Sequence, residues 1–200
     1  MITIIMQKML HPYAYVDVAT DGEEGVAALV QLGVLEIHLW GSTLAELETP
    51  DLMVFDLDPA PGVAWKDVIA AARDVRARLA EAGLEGYARL SGGKGIHVVV
   101  PIVRGPDWSE VKTFCAAFAE AMVASRPEAY VATASKSRRE GRIFIDWLRN
   151  VRGASSIASW SLRARPGAPV AISVMPPIPT TGIETAFATC HTIRTATGNT

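Results

Sequence analysis

Two aspartates within an otherwise apolar run, Leu52–Pro59 (LMVFDLDP), constrain the fold more than any other feature of this sequence. The run has the composition of a β-strand, whose side chains alternate between two faces. Asp56 and Asp58 therefore share one face, about 6.5–7 Å apart along the strand, and Phe55 and Leu57 pack on the other. Such carboxylates repel each other unless a cation lies between them, and Mg²⁺ or Mn²⁺ is the natural partner. The alternative is a strand that ends in a solvated acidic turn.

A third acid, Asp146, is the only charge in the β-branched and aromatic stretch 143–148, which predicts a core strand. A buried carboxylate needs a partner, and the candidates are Arg142, Arg149 and the same metal ions. If the two acidic strands are neighbours, three carboxylates converge on one sheet face. That set is the minimum for a two-metal phosphoryl-transfer site. A salt-bridged core aspartate is the competing interpretation.

A glycine-rich turn, Ser91-Gly92-Gly93-Lys94-Gly95, lies between these strands in sequence. It is flanked by an apolar segment at 87–90 and a valine-rich strand at 96–100, which indicates a tight hairpin. Amides unshielded by side chains can approach a phosphate closely, with Lys94 as a mobile charge and Ser91 as a hydroxyl donor. The sequence does not fit a P-loop, because Lys94 is followed by glycine and then a strand. An ordinary β-turn, with His97 as a core residue, is the alternative.

Charge is distributed unevenly along the chain. The whole sequence has 19 basic and 21 acidic side chains, a net charge of −2, which argues weakly against nucleic-acid binding. Residues 136–165, however, carry eight basic and two acidic side chains, whereas residues 1–135 carry ten and eighteen. A block of net charge +6 beside the acidic strands suits a polyanionic substrate such as a nucleoside triphosphate or nucleic acid. Arg163 and Arg165 would share a face of a strand. A solvated surface is the plainer explanation.

Composition points to one globular domain with an ample core, since half of the 200 residues are hydrophobic. Cys115 and Cys190 offer neither a disulfide framework nor zinc-ligand spacing, and Cys115 is expected inside a helix. No stretch has the length of a signal sequence or a transmembrane helix, so a cytosolic protein with no membrane partner is predicted.

Hydrophobic periodicity predicts an α+β fold. An Asp21-to-Glu24 capping box opens a helix that ends at Gly33, and a second box at Asp107 and Glu110 opens another. The remaining predicted elements are a helix at 66–82 and strands at 34–40, 52–57, 87–90, 96–100, 143–148 and 157–162. Helices alternating with hairpin-joined strands favour a largely antiparallel or mixed central sheet backed by helices.

Five segments of the sequence resemble the ordered motifs of one family, the polymerase domain of bacterial ligase D. That domain belongs to the archaeo-eukaryotic primase superfamily and serves non-homologous end joining. The segments are FDLDP at 55–59, SGGKGIH at 91–97, RIFIDWLRN at 142–150, SLRARPGA at 161–168 and GVLEIHLWGS at 33–42. The last is usually written with HPWGS, and Leu39 stands where the family has proline. The likeness runs from about residue 25 to about residue 172.

The resemblance implies a primase-polymerase type fold and a role for each matching residue. Asp56, Asp58 and Asp146 would be the catalytic acids and would hold two divalent metal ions, Mn²⁺ or Mg²⁺. The nucleotide-binding residues it implies are His38, Ser91, Gly92, Gly93, Lys94, Gly95, His97, Arg149, Asn150, Arg163 and Arg165. The DNA-binding residues it implies are Lys136, Arg138 and Arg139.

The implied activity is a DNA-directed nucleotidyltransferase that adds (ribo)nucleotides to a primer 3′-hydroxyl at gaps and broken ends. Nucleoside triphosphates and gapped duplex or DNA ends with a 5′-phosphate would be its substrates. The DNA-end-binding protein Ku and a DNA ligase would be its partners, in the bacterial cytosol or nucleoid. Residues 1–172 would form a catalytic domain that lacks the family's N-terminal segment. Residues 173–200 would be a divergent, disordered tail.

Two other functions fit parts of the sequence. A haloacid-dehalogenase-like phosphatase also places a D-x-D at the end of an apolar strand, and there Asp56 would be a covalent nucleophile. Its second aspartate is usually followed by Gly-Thr, whereas Pro59 and Ala60 follow here. The other alternative is a non-catalytic remnant that binds nucleotide or DNA ends without extending a primer.

Overall fold

The computed structural model describes residues 2–7, 15–20 and 22–173. Asp21, Cys190 and the predicted tail beyond Ser173 lie outside these residues. Three helices occur in the described part of the chain: α1 (Gly22–Gln31), α2 (Trp65–Glu81) and α3 (Trp108–Ser125). Its strands are β1 (Ile2–Gln7), β2 (Tyr15–Thr20), β3 (Ile37–Leu39), β4 (Leu52–Pro59), β5 (Tyr87–Leu90), β6 (Ile96–Pro101), β7 (Tyr130–Val131), β8 (Ile143–Asp146), β9 (Ser156–Ile157) and β10 (Ile172–Ser173).

The larger of two sheets has six strands in the order β10-β5-β6-β4-β8-β7. The glycine turn joins β5 to β6 as an antiparallel hairpin. Strand β4 lies between β6 and β8 and is antiparallel to both, whereas β7 and β8 run parallel. The predicted α+β class, with a mixed central sheet backed by helices, is confirmed.

The main core lies between this sheet and helices α2 and α3. Phe55 and Leu57 point to this side and are fully buried against apolar side chains of both helices. Helix α3 starts at the predicted capping box, in which the Asp107 carboxylate accepts from the Glu110 N–H at 2.9 Å. Cys115 is buried on the inner side of α3, as expected. Since strand side chains alternate, Asp56 and Asp58 are left on the opposite, open face of the sheet.

The smaller sheet has the order β2-β1-β3-β9, with each pair antiparallel. A small apolar cluster forms around Leu29 of α1 and Val34 and reaches the side chains of β3. Strands β3 and β9 contribute His38 and Ser156 to the open side of the larger sheet. Within the described ranges, no helix is both long and apolar enough to span a lipid bilayer.

Three predicted strands are shorter than expected. Strand β8 ends at Asp146, because the Asp146 Oδ1 accepts from the Leu148 N–H at 3.0 Å and turns the chain. The strand predicted at 34–40 keeps only the residues of β3. The strand predicted at 157–162 is wrong beyond Ile157, since Trp160 adopts a left-handed φ of 68° that breaks the extended run.

Candidate active site

Strand pairing brings the three predicted acids together on the open face of the six-stranded sheet. Asp56 of β4 and Asp146 of β8 are direct cross-strand partners, and Asp58 follows two positions along β4 on the same face. Like charges opposed in this way destabilise a sheet unless something compensates them. The side chains of Asp56 and Asp146 are only 17% and 11% exposed, so solvent provides little of that compensation.

Burial and neighbouring carboxylates raise the pKa values of Asp56 and Asp146. The pKa of Asp56 is raised to about 6, first by burial, with the charges of Asp146 and Asp58 adding to it against the attraction of Arg149. Burial also raises the pKa of Asp146, again against Arg149. Because a nearby cation favours the ionised form of both carboxyl groups, such a pair favours the binding of positive charge.

Basic side chains supply positive charge to all three acids. Arg149 bridges the opposed pair, with Nη2 3.4 Å from Asp56 Oδ2 and Nε 3.2 Å from Asp146 Oδ2. Asp58 is held by Lys94 and by Arg139, each at 2.9 Å. The Arg139 guanidinium also lies 3.9 Å from the centre of the Phe144 ring. In the described part of the chain, no three His, Cys, Asp or Glu side chains already surround one point as a metal cage.

The donor set nevertheless fits a hard divalent cation. Carboxylate oxygens are the ligands that Mg²⁺ and Mn²⁺ prefer, and three carboxylates here share one sheet face. The raised pKa values of Asp56 and Asp146 show that the surrounding positive charge does not fully compensate these two carboxylates. Asp56, Asp58 and Asp146 are therefore the residues able to hold such ions.

His97 of β6 is the cross-strand partner of Asp56 on the other side of β4. Its Nε2 lies 3.5 Å from Asp56 Oδ1. Burial, followed by the charges of Arg89 and Arg149, lowers the pKa of His97 to about 3, so the imidazole is neutral at physiological pH. His97 is thus buried, as a core histidine would be, but it is buried against a candidate catalytic acid.

The glycine turn packs tightly beside the acids. Lys94 donates to the Pro59 carbonyl at 3.0 Å as well as to Asp58, which ties the turn to the end of β4. A Cβ on Gly95 would lie 2.5 Å from the Leu57 carbonyl oxygen, so no side chain fits at that position. Gly92 has a left-handed φ of 68°, and a Cβ there would lie 2.8 Å from Arg163 Cγ. Gly95 is required because β4 lies too close for a side chain, and Gly92 is required because its backbone is left-handed.

Arg163 and Arg165 reach the site from a turn rather than from one strand face. The Arg165 N–H donates to the Arg163 carbonyl at 2.8 Å, which coils this segment. Arg163 Nη1 donates to the Ser91 carbonyl at 3.1 Å, and Arg165 Nη1 lies 3.0 Å from where a Gly93 Cβ would stand. The prediction of a shared strand face was wrong, yet both guanidinium groups face the glycine turn.

Glu36 is a buried acid that the sequence interpretation missed. It accepts from His38 Nε2 at 2.7 Å and from the Ala164 N–H at 3.0 Å, and it lies 3.3 Å from Arg163 Nε. Burial alone would raise the pKa of Glu36, but these hydrogen bonds and the nearby cations lower it overall. Burial lowers the pKa of His38 despite this partner. The signal that could have found Glu36 is its position two residues before His38 in an apolar segment.

The three acids, the glycine turn and the basic side chains around them line one cavity of about 320 Å³. The predicted site residues that line it are His38, Asp56, Asp58, Ser91, Gly93, Lys94, Gly95, His97, Arg139, Asp146, Arg149, Arg163 and Arg165. Four further lining residues were not anticipated: Phe144, Ser155, Ser156 and Ile157. The cavity wall therefore has five cationic and three acidic side chains.

Four of the predicted binding residues do not line the cavity. Asn150 is buried and uses its amide to accept from the Val54 N–H at 2.7 Å and to donate to the Val54 carbonyl at 2.8 Å. It anchors the segment after β8 to strand β4, because both polar groups of Val54 are satisfied by it. Gly92 lies behind the turn against Arg163. Lys136 and Arg138 are exposed on a short 3₁₀ turn outside the cavity.

Comparison with solved structures identifies the class of fold. The polymerase domain of Mycobacterium tuberculosis ligase D, solved in complex with DNA, superposes with a TM-score of 0.73 at 27% identity. The match covers 88% of this chain and 63% of that one. The AEP domain of the cyanophage S-2L primase-polymerase shares the fold at a TM-score of 0.52 and 11% identity, over 96% of this chain and 86% of that one. The fold is that of the primase-polymerases.

Sequence comparison narrows this class to one family. Residues 8–181 match the family described as LigD, primase-polymerase domain, and the chain belongs to that family. The multifunctional non-homologous end joining protein LigD of Pseudomonas aeruginosa is 43% identical over 151 residues, which are 76% of this chain and 18% of that protein. The LigD protein of Mycolicibacterium smegmatis is 33% identical over 144 residues, 71% of this chain and 19% of that protein. The chain thus spans about a fifth of the length of these relatives.

Proposed function

We propose that this chain is a DNA-directed nucleotidyltransferase of non-homologous end joining, which adds ribo- or deoxyribonucleotides to a primer 3′-hydroxyl at gaps and broken ends. The observation that carries the proposal is the direct pairing of Asp56 with Asp146 at the floor of a basic cavity. The chain's membership of the LigD primase-polymerase family supports the assignment of these paired acids to nucleotidyl transfer. The same membership leaves no support for the phosphatase alternative.

Phosphoryl transfer depends mainly on positioning the reactants and on neutralising charge in line with the reaction. Two divalent ions held by Asp56, Asp58 and Asp146 would activate the 3′-hydroxyl and neutralise the triphosphate. Lys94, held by Asp58, and Arg163, held by Glu36, line the cavity that the phosphates would occupy, and there they would neutralise the remaining negative charge. His38, held by Glu36, would lie near the sugar.

The proposed macromolecular substrate is a gapped duplex or DNA end with a 5′-phosphate. The exposed Lys136 and Arg138 extend positive charge outward from the cavity toward such a strand. Ku and a DNA ligase are the proposed partners, in keeping with the end-joining names of the relatives. A bacterial cytosolic or nucleoid location follows from this role.

Primer extension on a gapped, 5′-phosphorylated duplex with Mn²⁺ and ribonucleotides tests the proposal. We expect extension by the wild type and none by Asp56→Asn, because that change removes one carboxylate charge from the paired acids. Asp67→Asn, an exposed aspartate on the helix side, is the matched control and should extend normally. Extension by Asp56→Asn would overturn the assignment of the acids. Nucleotide binding without extension by the wild type would indicate the non-catalytic remnant instead.

A further inference from the structure

Arg89 is a buried cation with no acidic partner in the part of the chain that the structure describes. It lies on the open face of β5, opposite His97, and is only 1% exposed. No carboxylate among the described residues comes within salt-bridge distance of it. Burial lowers the pKa of its guanidinium to about 10, so the group remains charged at neutral pH. A buried charge without a counter-ion is costly, and a fold that keeps one usually uses it.

The hydrogen bonds of Arg89 lead directly to the cavity wall. Its Nη1 donates to the Ile157 carbonyl at 2.8 Å and to Ser156 Oγ at 3.3 Å. Both acceptors belong to β9, whose two residues line the cavity. Arg89 therefore joins the six-stranded sheet to the smaller sheet at the two residues of β9 that line the cavity.

The hydrogen bond from Arg89 to Ser156 Oγ leaves the Ser156 hydroxyl free to donate to another group. A guanidinium can only donate, so Ser156 Oγ must accept and its own hydroxyl hydrogen points elsewhere. Within the described ranges, no residue accepts from that hydroxyl. Ser156 lines the cavity and is 6% exposed, so an acceptor bound in the cavity can take its hydrogen bond. A hydroxyl that accepts from a cation is polarised and becomes a stronger donor.

We propose that Ser156 is a phosphate-binding residue, which donates its hydroxyl hydrogen to a phosphate oxygen of the bound nucleoside triphosphate. Arg89 is its positioning residue, because it fixes the orientation of the hydroxyl and lends it positive charge. The anionic ligand supplies the counter-charge that Arg89 does not find among the described residues. This inference rests on the proposed function and adds a contact from β9 to those of the glycine turn and the basic side chains.

Binding measurements on the full chain test this assignment. ATP and inorganic tripolyphosphate are titrated in the presence of Mn²⁺ into wild type, Ser156→Ala and Ser156→Thr. Loss of one hydrogen bond to a charged group should weaken both ligands by about tenfold or more in Ser156→Ala. Ser156→Thr keeps the hydroxyl and should restore most of the affinity. Ser125→Ala on α3, which removes a hydroxyl bonded to the Met122 carbonyl, is the control and should bind like wild type.

A double-mutant cycle separates positioning from a merely structural role. Arg89→Lys should weaken ATP binding several-fold in the wild-type background and have little further effect in Ser156→Ala, since Arg89 acts through that hydroxyl. A thermal melt of each variant checks that it is folded. Equal weakening in both backgrounds would overturn the positioning role. Weakening of ATP but not of tripolyphosphate by Ser156→Ala would overturn the phosphate assignment.

The outcomes also separate this inference from the proposed function. Wild-type binding that Ser156→Ala leaves unchanged would overturn the inference alone. Triphosphate binding that depends on Ser156, without primer extension by the wild type, would overturn the polymerase proposal and leave the inference standing. Absence of binding by the wild type to either ligand would overturn both.

Discussion

Asp56 has the environment least favourable to its own charge. It is opposed by Asp146 across the sheet and followed by Asp58, and Arg149 compensates it only in part. Burial, together with the charges of Asp146 and Asp58, raises the pKa of Asp56. A strongly perturbed carboxyl in a cavity marks a candidate functional residue, because its environment costs stability.

Asp56→Asn should therefore stabilise the protein when divalent ions are absent. The pKa of Asp56 rises from its ordinary 3.8 to about 6, so the folded state binds the proton more tightly than the unfolded state. The contribution of Asp56 to stability is then most favourable below about pH 4 and is lost as the pH rises through about 6. At pH 7 the variant should gain up to about 3 kcal/mol in free energy of unfolding, with no gain at pH 4. Urea denaturation at both pH values measures this, and a less stable variant at pH 7 would contradict it.

Asn150 shows how a motif residue can serve the fold. The resemblance implies a nucleotide contact, whereas the structure commits its amide to the Val54 N–H and carbonyl. Asn150→Ala leaves both buried groups without partners and should cost about 2–3 kcal/mol of stability. Asn150→Asp, which keeps the acceptor but loses the donor and adds a charge, should also destabilise. A loss under about 0.5 kcal/mol in the alanine variant, measured in urea, would contradict this structural role.

The hairpin of β5 and β6 is the element that the sequence predicted best. Its bounds, its antiparallel pairing and its glycine turn all follow from local composition. The turn's contact with β4 could not be predicted, because it depends on how strands distant in sequence pair. That contact explains why Gly95 lacks room for a side chain.

Gly95→Ala tests the contact between turn and strand. The added methyl would press on the Leu57 carbonyl, part of the backbone of β4, so the turn must move away. We expect a loss of at least about 2 kcal/mol in free energy of unfolding and weaker nucleotide binding. Gly105→Ala is the matched control, because nothing lies within 4 Å of the added Cβ. Similar stabilities of the two variants in urea would show that the turn is not packed against β4 as described.

The whole molecule separates its charges by region. The block at 136–165 carries a net charge of +6 and forms part of the cavity wall, while the remainder of the chain is acidic. Long-range attraction for DNA should accordingly be modest and strongly salt-dependent. Lys136 and Arg138 lie at the exposed end of this block, where a polymer rather than a mononucleotide can contact them.

Lys136→Ala should weaken binding of a labelled gapped duplex with a 5′-phosphate and reduce the salt slope of that binding by about 1. The reason is the loss of one phosphate contact and of the counterion release that accompanies it. Lys112→Ala, an exposed lysine of α3 on the helix side of the sheet, is the control. Titrations at several salt concentrations measure the slope. An equal effect of the two variants would show that DNA does not approach through the 3₁₀ turn.

Local pattern alone determined much of this protein. Alternation along β4 placed Asp56 and Asp58 on one face, periodicity located α2 and α3, and ordered motifs indicated the family before any strand was paired. These features depend on neighbours within one turn or one strand, which a sequence displays directly.

Only the tertiary structure decided which distant groups meet. The register of β4 against β8 set Asp56 opposite Asp146, and the packing of the two sheets buried Glu36 beside Arg163 and Arg89 behind Ser156. Such contacts join residues separated by tens of positions, and their cost or gain depends on burial that no local window contains. The acids were visible in the sequence, whereas the cations that contact them, Lys94, Arg139 and Arg149, were brought to them by the fold.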